Sequence, residues 1–253
     1  MNYLGKTAVL TTKHQKEQVI APAFATHLQL VTELHLADTD QLGTFSGTIP
    51  RLGTMHETVI TKARLGMTAL NCKLGIASEG SFGPHPSMPF IPCDIETMVF
   101  IDDEIGFQLT ETIISEDTNY QEKIIAPDDK KSYQQFCDAI GYPEHGIITS
   151  DTPSGLKLLS DMRAHMNPRR MKIIAQLAEK LAQRLACCCP KCNISGFGVT
   201  EKISGLPCEY CGEKTRLLKS ELYSCVKCSY QELHDRADEK KFAEQQYCPQ
   251  CNP

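Results

Sequence analysis

Thirteen cysteines occur in the 253 residues of the chain, and eight of them form four C-x-x-C pairs after residue 186. A C-x-x-C turn presents two thiolates to one metal ion, and four thiolates complete a tetrahedral zinc site. We expect no secretory signal in the N-terminal residues MNYLGKTAVL, so the pattern favours zinc ligation over disulfides. It predicts two structural Zn²⁺ ions, with the ligands Cys189, Cys192, Cys208, Cys211, Cys225, Cys228, Cys248 and Cys251.

The spacing alone leaves open which pairs share an ion. The segment from Cys208 to Cys228 resembles a complete zinc ribbon, which would join the second and third pairs at one site. The first and last pairs would then close a second site around it. This nested arrangement, which also occurs in the cysteine-rich region of the Hsp40 co-chaperones, is favoured here over sequential pairing. Cys187 and Cys188 are interpreted as bystanders.

The cysteine-rich tail, residues 187–253, has few large apolar side chains from which to build a core. Structural zinc contributes on the order of 10 kcal/mol per site in small modules, so it can replace that core. Eight thiolates leave no open coordination position for catalysis. The tail carries nine basic and nine acidic residues, and this neutrality argues against binding to a phosphate backbone. We therefore predict a tandem zinc-ribbon domain that is structural or docks a protein partner.

Residues 1–186 show alternating strand and helix patterns, which predict an α/β domain with a mixed sheet. Strands are predicted over TAVLTT, KLGIASEG, DIETMVFID and IGFQLTETII. One helix begins at Thr54, which has capping-box spacing from Glu57, and the last helix begins after Asn167 with Pro168 at its first position. The segment SFGPHPSMPF is rich in turn residues, and residues 115–135 are interpreted as a loop or edge region.

Polar side chains gather at the ends of these elements, where an α/β sheet opens its ligand cleft. Lysines after a first strand suit a polyphosphate, and two carboxylates suit Mg²⁺. Some of these residues have a second interpretation: Glu57 as a helix cap, Lys62 on a solvated helix face, and His85 in loop packing. The candidates are Thr12, Lys13, Lys16, Glu57, Lys62, Glu79, Ser81, His85, Arg169 and Arg170.

Four segments carry a family resemblance: TTKHQK ends the first strand, GTMHETVITKAR forms the helix, LGIASEGSFG follows, and NPRRMKII opens the last helix. In this order they resemble the inosine triphosphate pyrophosphatase family. That family has T-x-N-x-x-K, G-x-T-F-x-E-N-A-x-x-K-A-R, D-D-S-G and S-H-R-x-K-A at the corresponding places. The resemblance covers roughly residues 5–186 and implies that family's mixed-sheet α/β fold. The whole layout also looks like an uncharacterised bacterial domain family.

The resemblance implies a Mg²⁺-dependent hydrolase that releases pyrophosphate from a nucleoside triphosphate, including nucleotides with altered bases. Glu57 and Glu79 would hold Mg²⁺ and direct the attacking water. The phosphates would lie on the TTKHQK segment, through Thr12, Lys13 and Lys16, and on Lys62. The base would contact Arg169 or Arg170 and the GSFGPHP loop, which contains Ser81 and His85.

An alternative function is a non-catalytic protein that binds a nucleotide or phosphorylated ligand, while its zinc domain docks a protein partner. The net charge of −5 and 41% hydrophobic composition argue against a nucleic-acid-coating protein and against a disordered chain. Aliphatic stretches are only a few residues long, so no membrane span is predicted. We expect a cytoplasmic protein.

Overall fold

The computed structural model describes residues 3–37 and 53–253. The chain divides into two compact units, one formed by residues 2–183 and the other by residues 184–253. The first unit is mixed α/β with a mixed sheet, and the second contains the cysteine-rich region, as predicted at this level.

The first unit is organised around a five-stranded sheet in the order β2-β1-β3-β4-β5. Strand β1 is parallel to β2 and β3, whereas β3, β4 and β5 are successively antiparallel. A parallel half is therefore joined to an antiparallel meander. The bounds of the strands are β1 Thr7–Thr12, β2 Val31–Leu36, β3 Leu74–His85, β4 Met88–Asp102 and β5 Phe107–Ser115.

Helices cover both faces of this sheet. Helix α2 (Met55–Ala69) packs Val59, Ala63 and Met67 onto Ala77, Val99 and Ile101 of the strands. Side chains alternate along a strand, so Phe100 lies on the opposite face, where its ring packs against Phe24 of α1 (Glu17–Leu28). On that same face Lys180 of α4 (Pro168–Ala186) reaches Glu111 of β5. The result is a three-layer arrangement of helix, sheet and helix.

A small antiparallel sheet completes the first unit, in the order β6-β8-β7. Its strands are β6 (Glu122–Ile125), β7 (Ile147–Thr152) and β8 (Gly155–Ser160), and α3 (Lys130–Ile140) packs against them. Strand β6 is an edge strand, as the sequence allowed for residues 115–135, but α3 was missed because its first turn is polar. The turn-rich SFGPHPSMPF segment is also not a loop: β3 and β4 continue through it as a hairpin.

The second unit contains a three-stranded antiparallel sheet in the order β11-β10-β9. The strands are β9 (Gly198–Ser204), β10 (Leu218–Ser224) and β11 (Gln231–Asp235). The ring of Phe197 packs between those of Tyr223 and Tyr230, with centroids 5.9 and 5.8 Å away. These few aromatic contacts, with the cysteine turns, take the place of an extended apolar core.

No helix among residues 3–37 and 53–253 combines the length and the apolar character needed to cross a membrane.

Substituting Gly66 with Ala should destabilise the first unit, because α2 lies directly against β1 at this position. A Cβ there would overlap Oγ1 of Thr11 and lie 2.7 Å from Cγ1 of Val9, and both side chains are buried. Overpacking costs about 1–3 kcal/mol, which outweighs the roughly 1 kcal/mol gain in helix propensity. Chemical denaturation should show a lower unfolding free energy for G66A. The matched change G83A, where a Cβ meets nothing within 4 Å, should leave it nearly unchanged.

Candidate functional site

The eight cysteines of the C-x-x-C pairs form two groups of four in the second unit. Within each group all four sulfur atoms lie within 4.8 Å of one another, which suits one tetrahedral zinc ion per group. The first group joins the first and third pairs, and the second joins the second and fourth. The groups are Cys189, Cys192, Cys225 and Cys228, and Cys208, Cys211, Cys248 and Cys251.

The pairing is therefore interleaved, and the predicted nested arrangement is wrong, as is the sequential alternative. Strand register gives the reason. Ser224 at the end of β10 pairs with Gly198 at the start of β9, and β9 follows the first knuckle, so Cys225 comes to the first pair. The segment from Cys208 to Cys228 does not fold back on itself as an isolated ribbon, because β10 pairs with β9 and β11.

The second group is brought together by a backbone bridge rather than by a strand. The N–H of Ala243 donates to the carbonyl of Pro207 at 2.8 Å, and the N–H of Glu209 donates to the carbonyl of Ala243 at 2.9 Å. This bridge places the fourth knuckle beside the second, so Sγ of Cys211 lies 3.5 Å from Sγ of Cys248.

The first two knuckles are closed by a tight backbone turn. A left-handed residue, Asn193 (φ 56°) or Gly212 (φ 76°), follows the second cysteine of the first two pairs and closes the turn. Backbone hydrogen bonds from Cys211 and Tyr210 lower the pKa of the Cys208 thiol to about 7, which favours the thiolate form. In the same group the hydrogen bond with Cys211, and then burial, raise the pKa of the Cys251 thiol to about 12, so a metal ion would have to displace its proton. All four positions of each ion would be filled by sulfur, so these sites suit a structural role.

The first unit contains a second candidate site at the carboxyl end of β1. Strand β1 lies between β2 and β3. The connections on its two sides therefore diverge at its carboxyl end, and this is the usual position of the ligand site in an α/β sheet. The last pair of β1 with β3 is Thr11 with Ala77. Residues of β3 from Ser78 onward therefore run past the end of β1.

Seven buried residues converge here, and we call them the charged cluster: Lys16, Lys62, Ser78, Glu79, Asp94, Glu96 and Arg170, each at most 8% exposed. Lys62 of α2 forms an ion pair with Glu79 of β3. Nε of Arg170 lies 2.6 Å from Oε1 of Glu96. Nζ of Lys16 donates to Oγ of Ser78 at 3.2 Å. Helices from both faces of the sheet thus supply cations to acids and a hydroxyl on the central strands.

Arg170 is held in place by several elements at once. A Cβ on Gly80 would overlap its guanidinium and lie 2.5 Å from Oε1 of Glu96, so the glycine makes room for the ion pair. The guanidinium also lies 4.8 Å above the ring of Phe82. Asn167 caps α4 as predicted, because its Oδ1 accepts from the backbone N–H of Arg170 at 3.0 Å.

Asp94 and Glu96 are acids of this cluster that the sequence analysis missed. Among the described residues, Oδ1 of Asp94 and Oε2 of Glu96 are buried and have no hydrogen-bond partner. Burial, and then the charge of Glu96, raise the pKa of the Asp94 carboxyl to about 8. The signal that could have found them is their alternation with Met98 and Phe100 on one buried strand face. Carboxylates that share a buried strand face with apolar residues need a hydrogen-bond partner, a counter-ion or a ligand.

The predicted candidates fall into two sets. Lys16, Lys62, Glu79 and Arg170 come together in the charged cluster. The others lie in local contacts. Glu57 is exposed, and its carboxylate accepts from the backbone N–H of Thr54 at 2.8 Å, completing the predicted capping box.

The remaining candidates make contacts with their near neighbours or with exposed charges. Arg169 lies 3.5 Å from Asp117, with both side chains substantially exposed. Nδ1 of His85 accepts from the N–H of Ser87 at 3.1 Å in the hairpin. Oγ1 of Thr12 donates to the carbonyl of Lys13 at 3.2 Å, and Ser81 is half-buried on β3 opposite Ile95.

Comparison with known proteins gives one family match. A family model described as a domain of unknown function, DUF6671, matches residues 62–158 and 153–253. No curated protein and no solved structure matches the chain. The match covers both the last three strands of the large sheet and the whole cysteine-rich region, so the two belong to one family pattern.

Zinc stoichiometry tests the interleaved pairing. The double variant C192A/C228A removes two ligands of one group, so it should retain one zinc ion per chain. Nested or sequential pairing would instead place these cysteines at different ions, and both ions would be weakened. Metal analysis after dialysis distinguishes the two results. The matched control C187A alters a cysteine outside both groups and should retain two ions.

The raised pKa of Asp94 makes stability depend on pH. Between the usual carboxyl pKa of 3.8 and about 8, the unfolded chain has released this proton and the folded chain has kept it. The unfolding free energy should therefore fall as pH rises through this range, by at most about 1.4 kcal/mol per pH unit. The D94N variant has no proton to lose at this position. Denaturation between pH 5 and 8 should show a flatter profile for D94N, and parallel profiles would contradict the assignment.

Proposed function

We propose that this chain, which belongs to the family described as a domain of unknown function (DUF6671), is a Mg²⁺-dependent nucleoside triphosphate pyrophosphohydrolase acting at the charged cluster. The observation that carries the proposal is the burial of three cations and three carboxylates together at the carboxyl end of β1. A cluster of this kind is costly in a core and suits a ligand that is itself highly charged.

The cations support a phosphate ligand. Lys16 directly precedes α1, Lys62 lies on α2 and Arg170 lies in the first turn of α4. Their side chains meet at one end of the sheet. With Asp94 protonated, their three positive charges exceed the two negative charges of Glu79 and Glu96. An entering triphosphate would neutralise the excess, and the planar guanidinium of Arg170 can hold two phosphate oxygens at once.

The carboxylates support a magnesium ion held jointly with the substrate. Mg²⁺ takes one or two carboxylates together with phosphate oxygens and water. The unpartnered oxygen of Glu96 fits that need. Asp94 would fit it once the metal displaces its proton, and Glu79 once phosphate draws Lys62 away. Among the described residues, no three carboxylates come within 4.8 Å of one another, so the phosphates must supply the remaining ligands. When bound, the ion would neutralise charge on the phosphates and activate water.

In this reaction the chain's own residues position the triphosphate and stabilise the charge that moves to the leaving group. Lys62 and Arg170 exchange their carboxylate partners for phosphate oxygens, which frees Glu79 and Glu96 to face the cation. The α-phosphorus is attacked, with net addition of water, and pyrophosphate leaves. Most of the rate enhancement then comes from positioning and electrostatic stabilisation in a buried site.

The second candidate function is nucleotide binding without turnover, with the zinc unit docking a protein. Its support is that Glu79 and Glu96 already have cation partners in Lys62 and Arg170, so these carboxylates do not require a metal ion. A phosphate could then be held by the cations without a metal. Exposed aromatic side chains beside the second cysteine group, Tyr210 at 76% and Phe242 at 55%, are of the type that binds protein partners.

Pyrophosphate release with Mg²⁺ tests the proposal directly. The zinc-loaded protein should release pyrophosphate from at least one member of a panel of standard and deaminated nucleoside triphosphates. E79Q keeps the size of the side chain and removes its charge, so it should lower kcat at least about 100-fold. Tight nucleotide binding with no release would establish the second candidate instead. Neither binding nor release from folded protein would reject both.

Glu57 provides the matched control for that measurement. Gln can serve in a capping box as Glu does, so E57Q separates the cap from a metal ligand. Because its carboxylate is exposed and already accepts from Thr54, we expect E57Q to retain activity within a few fold. A loss as large as that of E79Q would make Glu57 a magnesium ligand.

A further inference from the structure

Lys16 differs from the other cations of the charged cluster because it forms no ion pair with a carboxylate of residues 3–37 and 53–253. Lys62 and Arg170 each form an ion pair, but among the described residues the side-chain nitrogen of Lys16 contacts Oγ of Ser78 alone, at 3.2 Å. Both residues are buried, at 7% and 5% exposure. A buried ammonium without a counter-ion is unusual and often marks a lysine that works in its neutral form.

Ser78 belongs to the charged cluster at the carboxyl end of β1. It is the first residue of β3 beyond the last pair with β1. It shares its sheet face with Gly80 and Glu96, because Met98 lies opposite Ser78 and Glu96 lies opposite Gly80. Its hydroxyl is therefore placed on the side of the sheet that carries Glu96, the partner of Arg170.

We propose that Ser78 is a catalytic nucleophile and that Lys16 is its general base. The proposal rests on the function proposed above for the identity of its substrate, a nucleoside triphosphate, and replaces a direct attack by water with two successive displacements. A serine hydroxyl beside a neutral lysine is one of the recurring ways to activate a nucleophile.

The electrostatics of the cluster support this role. Burial, and then the charge of Arg170, lower the pKa of the Lys16 ammonium to about 8, so a useful fraction is neutral near neutral pH. The other charges acting on it are Glu96, Lys62 and Glu79, from β4, α2 and β3. Opposing charges thus hold the lysine close to the pKa at which it can take and return a proton.

The two displacements balance as follows. Oγ of Ser78 attacks the α-phosphorus while its proton passes to Nζ of Lys16, and the bond from the α-phosphorus to the bridging oxygen breaks to release pyrophosphate. Water then attacks the serine-bound nucleotidyl group. The bond between Oγ and phosphorus breaks, and the Lys16 ammonium returns its proton to Oγ. The amine thus made neutral takes the proton that the attacking water loses and passes it to solvent, and nucleoside monophosphate leaves. Between the two steps the ammonium also stabilises the phosphoryl oxygens.

A fluorophosphonate probe tests the nucleophile without reference to any nucleotide. Attack by an activated serine forms an oxygen–phosphorus bond and expels fluoride, and peptide mass spectrometry locates the adduct. The full-length, zinc-loaded protein should be labelled at Ser78, and S78A should lose the label. S115A, a change at a serine of β5 in the same sheet, should keep it. Labelling that persists in S78A, or that never reaches Ser78, would overturn the proposal.

The variant K16R separates the base from a simple phosphate-binding cation. Arginine retains the positive charge but does not lose its proton in proteins, so K16R should lose the label at least about 100-fold. Zinc content and the unfolding transition show whether each variant is folded, and K16M serves as a second test should K16R disturb the packing. Labelling of either folded variant at the wild-type rate would refute the role of Lys16 as base.

Nucleotide turnover then separates failure of this proposal from failure of the proposed function. Acid quenching during the reaction should trap a nucleotidyl group on Ser78. If pyrophosphate release continues unchanged in S78A, the hydrolase stands and the serine is not its nucleophile. If Ser78 takes the fluorophosphonate label but no nucleoside triphosphate is hydrolysed, the nucleophile stands and the proposed substrate class is wrong.

Discussion

Charge buried at one end of a sheet is the constraint on which the first unit depends. The ion pairs with Glu79 and Glu96 offset the cost of burying the charges of Lys62 and Arg170, because desolvating an unpaired charge costs more than most single packing gains. The acids in turn lie on the central strands, and the cations arrive from helices on both faces. The ion pairs therefore link the three layers at the carboxyl end of β1, and the small residue Gly80 is needed where two charged groups approach the backbone.

The second unit must be stabilised differently from the first, because it has little apolar surface to bury. Its sheet of three short strands is joined to four cysteine turns, and each metal group joins two turns that are distant in sequence. Each group takes one early and one late knuckle, so neither half of the tail contains a complete site. The same cysteine turns must therefore satisfy both the metal groups and the strand register. Only one pairing of the knuckles meets both requirements.

Local patterns in the sequence predicted what depends on local chemistry. The capping box at Thr54 and Glu57 and the cap at Asn167 follow from near-neighbour spacing and occur as predicted, and the eight cysteines of the C-x-x-C pairs do form two groups of four. The sharing of the ions did not follow, because it depends on β10 pairing with β9, a contact between distant segments. Asp94 and Glu96 were not predicted as site residues for the same reason. Their burial depends on how distant segments pack against β4, and only the structure shows it.

The interleaved groups also bear on the order in which the chain can fold as it is synthesised. The first two knuckles, at Cys189 and Cys208, emerge from the ribosome before their true partners at Cys225 and Cys248. Four thiolates are then available to bind a zinc ion in the wrong combination. Reaching the native arrangement from such a state requires thiolates to exchange at the metal once the knuckles at Cys225 and Cys248 have been synthesised. Correct assembly of the tail therefore depends on thiolates exchanging at zinc fast enough to correct a site that formed early from the wrong cysteines.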